Sequence, residues 1–94
     1  MGMEVSVFAP GLDWTRISKA LGQFEPRGTL RMADGQLTFP DEEPSAEWRE
    51  LRVALPAGMV TIRRTAQGVD LVTWGNIPEQ LFVERDKLAG LLAG

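Results

Sequence analysis

Asp34-Gly35 lies between two short alternating runs, Thr29-Leu30-Arg31-Met32 and Gln36-Leu37-Thr38-Phe39. A tight type I′ turn needs positive φ at both central residues, and Asp-Gly is among the few pairs that tolerate it. The pattern therefore predicts an antiparallel hairpin. Alternation sets Leu30 and Met32 on one face and makes Leu37 and Phe39 further inward positions.

The same grammar recurs on both sides of this hairpin. Glu4–Phe8 alternates and is stopped by Pro10-Gly11. Residues 48–55 fit either a helical period (Trp48, Leu51, Leu55) or strict alternation (Leu51, Val53, Leu55). The strand is preferred, because Arg52 and Ala54 then fill the opposite face. Pro56-Ala57-Gly58 turns the chain into Met59–Arg64, which is rich in β-branched residues. Thr65–Gly68 turns it again into Val69–Trp74, ended by Gly75-Asn76.

Helices are expected only near the two ends. Asp13 is a good N-cap for residues 13–22, with Trp14, Ile17 and Leu21 on one face and Gly22 at the C′ position. Residues 76–93 have two readings. Asn76 could cap one long helix that carries Pro78 and Glu79 in its first turn. Such a helix sets Arg85 on its apolar face. The preferred reading is a strand over Gln80–Glu84 and a short helix over 87–93 capped by Asp86, with Leu88, Leu91 and Leu92 inward.

Strand runs flanked by helices indicate an α+β fold. The expectation is one domain over residues 1–94: an antiparallel sheet of five to seven strands, with an N-terminal and a C-terminal helix packed on one face. Met1-Gly2 reads as a cloning remnant ahead of a native Met3.

Composition narrows the chemistry. Cysteine and histidine are both absent, which excludes disulfides, thiolate nucleophiles, imidazole bases and the usual zinc ligands. The chain lacks the G-x-G-x-x-G, P-loop and G-x-S-x-G motifs. Asp41-Glu42-Glu43 lacks the spacing of a calcium loop and reads as a solvated surface feature between Pro40 and Pro44. Asp70 falls within an apolar strand and is expected to pair with an arginine across the sheet. Lys19 and Lys87 fall on polar helix faces. No catalytic, cofactor-binding or metal-binding residue is expected.

The net charge of −3 argues against general affinity for phosphate backbones. Eight of the ten basic residues are arginine, which suits fixed planar contacts and equally suits the codon usage of a GC-rich bacterial genome. No apolar run approaches the ~20 residues of a membrane span, and there is no basic-then-apolar leader, so a cytoplasmic protein is expected.

What remains is a surface. Alternation can align Arg31, Arg52 and Arg63 on the outer face of the sheet. Trp48 and Trp74 are the tryptophans available to join them, and Trp and Arg dominate interface hot spots. The nearly all-apolar segment Leu88–Ala93 needs cover, either its own sheet or a second copy. The leading expectation is a non-enzymatic protein-interaction module that binds a protein partner or itself. One alternative is a nucleic-acid binder using the arginine-bearing sheet face. Another is a small-molecule domain with a pocket between helix and sheet.

Overall fold

Apolar alternation along six segments produces six strands. The computed structural model describes residues 2–40 and 42–93. Met1 of the leading dipeptide and Asp41 of the acidic loop lie outside the described residues. The strands are β1 (Gly2–Phe8), β2 (Thr29–Ala33), β3 (Gln36–Leu37), β4 (Glu50–Leu55), β5 (Gly58–Thr65) and β6 (Gly68–Trp74). Helix α1 (Trp14–Leu21) follows β1, and α2 (Glu79–Ala93) follows β6. The strands form one sheet in the order β1-β6-β5-β4-β2-β3, with every neighbouring pair antiparallel.

Register explains why one face is the core. Val5, Leu71, Ile62 and Leu51 stand opposite one another on four successive strands. Residues directly opposite share a face. Val7 with Val69, and Leu30 with Val53 and Val60, add two parallel rows on that side. Ile17, Ala20 and Leu21 of α1 and Leu81, Leu88 and Leu92 of α2 join these strand residues in one buried cluster. Burying each Leu or Ile contributes about 1.5–3 kcal/mol before chain entropy is counted. Both helices thus lie on one face, as the α+β reading expects.

Helix α1 starts where the sequence places it. Asp13 Oδ1 accepts from the Arg16 N–H at 3.1 Å. Gly22 closes the helix as expected, but as its C-cap and in a right-handed conformation, φ −68°.

Residues 79–93 form one continuous helix, which overturns the preferred strand-plus-short-helix reading. The objection to a long helix was Arg85 on the apolar side. Arg85 is indeed only 8% exposed, but its charge is met locally. The guanidinium lies over the Phe82 ring at 5.1 Å and donates to Asp86 Oδ1 at 3.1 Å. Asp86 is therefore a mid-helix partner and not a cap. Glu84, also buried, accepts from the Ala57 N–H through Oε1 at 2.9 Å and ties the helix to the β4–β5 turn.

Three further expectations change. Strand β4 begins at Glu50, two residues after Trp48. A β-bulge between Leu30 and Met32 breaks the alternation of β2, so Met32 pairs with Arg52 on the outer side while Leu30 stays in the core. Leu37 and Phe39, expected inward, are 84% and 81% exposed. Strand β3 is only two residues long and lies beyond the last strand that the helices cover.

Among the described glycines, Gly68 leaves the least room for a side chain. It opens β6 after the two-residue turn Ala66-Gln67, with φ +155°. A side chain there would collide with the Val7 carbonyl oxygen and the Ala9 nitrogen, both backbone atoms that cannot swing away. Gly90, exposed on α2, has open space where a Cβ would sit. Gly68→Ala should lower unfolding stability by at least ~2 kcal/mol, whereas Gly90→Ala should raise it by about 0.5–1 kcal/mol. Urea titration of the two variants against the parent protein checks both signs.

Candidate interaction surface

The helices leave the outer sheet face uncovered, and its side chains follow from the same register. Glu50, Arg63 and Asp70 form one row across β4, β5 and β6, and Arg52, Thr61 and Val72 form the next. Arg63 Nε lies 3.6 Å from Glu50 Oε2, and both side chains are about 43% exposed. An exposed pair of this kind contributes roughly 0–1 kcal/mol. Asp70 stands opposite Arg63 in register, but the ion pair of the guanidinium is with Glu50 on its other side, so the expected Asp70–arginine pair is not formed among the described residues.

At the other end of this face the surface becomes concave. Trp74, the last residue of β6, is 52% exposed. Its Nε1–H donates to Thr61 Oγ1 at 3.3 Å, so the indole is held across the strand end. Thr61 itself is buried. Met59, next along β5, is partly exposed. Together with Arg52, Met32, Arg31 and Leu37 these side chains line a groove of about 480 Å³, to which Ile77 and Pro78 also contribute. The Arg52 guanidinium reaches within 3.9 Å of Met32 Sδ.

The bulge in β2 builds one wall. With one residue out of register, Arg31 and Met32 both line the groove, which strict alternation forbids. Three of the five residues singled out from sequence thus meet here: Trp74, Arg31 and Arg52. Neither arginine forms an ion pair among the described residues. Arg63 sits farther along the same face, engaged with Glu50.

Trp48 does not join this surface. It is 2% exposed within the core cluster. The Arg64 guanidinium lies 4.0 Å from its ring centroid and donates to the Ala46 carbonyl at 3.3 Å. Its place is the seam between β4 and the segment before it, on the helix side of the sheet. Lys87 is likewise engaged, donating to the Gln23 carbonyl at 3.0 Å and lying 4.9 Å from the Phe24 ring centre.

The groove residues that sequence reasoning missed include Met32, Met59, Thr61 and Leu37. Thr61 was within reach, since it is the cross-strand partner of Arg52 once the Pro56-Ala57 turn is accepted. The others depend on the bulge and on which strand ends the helices leave bare.

Asp34 anchors the wall that carries Arg31 and Leu37. It adopts φ +50° beside Gly35 at φ +82°, the geometry of a type I′ turn. Its Oδ1 accepts from the backbone N–H groups of Arg49 at 2.8 Å and Glu50 at 2.9 Å. Its own N–H donates to the Glu50 carbonyl at 2.8 Å. The Arg49 and Glu50 amides hold its carboxyl below the ordinary carboxylate range. One side chain therefore joins the β2–β3 hairpin to the start of β4.

Comparisons with protein-family models, with curated proteins and with solved structures each return no match. The surface has to be read from its own chemistry.

A depressed folded-state pKa means that Asp34 stabilises the protein above the unfolded carboxylate pKa. The contribution is lost as pH falls through the lower folded value. Asp34→Asn keeps an acceptor oxygen and tolerates the positive φ, but it does not titrate. The variant should be slightly less stable than the parent at neutral pH, and the gap should close below about pH 4. Urea midpoints measured from neutral to acid pH test this, and a gap constant with pH would refute it.

Proposed function

We propose that this chain is a non-enzymatic protein-interaction module that docks a protein partner, or a second copy of itself, on its outer sheet face. The reading takes it as a cytoplasmic bacterial protein. Among the described residues no helix is long and apolar enough to cross a membrane.

One observation carries the reading. The groove combines an exposed tryptophan, flexible methionines and two arginines that form no ion pair among the described residues. Trp and Arg are the side chains most enriched at interface hot spots. Methionine is a soft filler at binding surfaces. Among the described residues seven large apolar side chains are exposed; Trp74, Met59 and Leu37 of these line the groove, and Phe39 lies two residues beyond Leu37 in the chain. Scattered exposed apolar groups need no explanation, but a contiguous cluster of them points to a partner.

The nucleic-acid alternative has less support. It needs a row of free arginines, and Arg63 is engaged by Glu50. Glu4, Glu50 and Asp70 lie on the same face by register and would repel a phosphate backbone. The pocket proposed between helix and sheet also lacks support, because Ile17, Leu21, Leu71 and Leu88 fill that layer with essentially no exposure.

Replacing Leu37 by a photoreactive phenylalanine tests the proposal, since this side chain is exposed at the groove rim. Irradiation in source cells should give discrete protein adducts that disappear when Trp74→Ala is added. Adducts to nucleic acid, or protein adducts indifferent to Trp74, would overturn it.

A further inference from the structure

We propose that the outer face is closed by a second copy of the same chain, each protomer inserting an acidic aromatic knuckle into the other's arginine-lined groove. This rests on the reading of the outer face as a protein-docking surface.

The face carries both halves of a complementary contact. One half is the groove, with Arg31, Arg52 and the Trp74 ring. The other half follows Leu37 in the chain. Phe39 is 81% exposed. Its N–H donates to Glu42 Oε2 at 3.0 Å, and the Glu42 N–H returns a bond to the Phe39 carbonyl at 3.0 Å. These reciprocal bonds present an aromatic ring and a carboxylate as one unit, with the exposed Glu43 beside it.

The two halves do not satisfy each other within one chain. No ion pair joins Glu42 or Glu43 to Arg31 or Arg52 among the described residues. Leu37 lines the groove and lies two residues from Phe39, so knuckle and groove are adjacent on one patch. A patch with adjacent complementary halves suits a two-fold interface, in which residue i of one copy meets residue j of the other and the reverse. Two arginines then face two glutamates on each side of the axis, and the Phe39 ring meets Trp74 and Met59. Such a contact covers the apolar cluster and neutralises its charges together.

The test is light scattering on a sizing column over a wide range of concentrations. The parent protein should approach twice the chain mass of 10.4 kDa. Arg31→Glu/Arg52→Glu and Glu42→Arg/Glu43→Arg should each be monomeric, with the dimer Kd raised at least ~100-fold by like charges. An equal mixture of the two variants should restore the dimer, because each reversed groove then meets a reversed knuckle. If either double variant fails to fold by circular dichroism, Phe39→Ser serves instead, since its exposed ring contributes little to the monomer. It should weaken the dimer without lowering the urea midpoint extrapolated to low concentration.

A parent protein that stays monomeric overturns the proposal, and so does a dimer that survives both charge reversals. If the parent is monomeric while Leu37 crosslinks to a different protein, the docking surface stands and the second copy is wrong. If Leu37 gives no protein adduct either, both fail.

Discussion

The structure depends on an imbalance between one sheet and two helices. A six-stranded sheet has two faces, and the chain supplies helices for only one of them. The apolar rows of β1, β4, β5 and β6 therefore commit to the helix side, and the outer side must be water-compatible or covered by something else. The outer face answers in two ways. Around Glu50, Arg63 and Asp70 it is a row of charges. Around Trp74 and Met59 it is an apolar concavity edged by arginine.

Two local devices make that division possible. Gly68 lets β5 turn directly into β6 while β1 closes over the turn, so the edge strand stays in register with the core. Asp34 ties the small β2–β3 hairpin back to β4 through three backbone hydrogen bonds. Without that tie a two-residue edge strand would have little to hold it, since isolated hairpins are marginal in water. The β3 end of the groove wall is thus held by an acid at a turn, while β2 is anchored by its ladder to β4 and by buried Leu30.

Much of this was legible beforehand. The hairpin at Asp34-Gly35, the strands expected over residues 48–55, 59–64 and 69–74 and found within two residues of those bounds, and the cap at Asp13 all rest on local rules: turn chemistry, period-two alternation and side-chain capping. The misreadings have separate physical causes. Arg85 looked incompatible with an apolar helix face because its neighbours Phe82 and Asp86 were not counted as a local charge sink. Met32, Leu37 and Phe39 were placed inward because alternation assumes an unbroken ladder, and the bulge in β2 breaks it. Trp48 was grouped with Trp74, yet one is sealed under Arg64 and the other lies open.

The amino-acid sequence by itself determined the types of the elements up to residue 74, most of their boundaries, the α+β class and the inner face of the central strands. These follow from interactions between residues close in the chain and from a strict two-residue period. Tertiary structure decided which tryptophan is core and which is surface, and which arginines remain without ion pairs. It also decided that the last 15 helical residues run unbroken. Those outcomes depend on partners distant in the chain: Arg64 above Trp48, Glu84 on the Ala57 amide, Thr61 beneath the Trp74 indole. A periodic pattern can set the direction of a side chain, but only the assembled layers determine whether anything stands there to cover it.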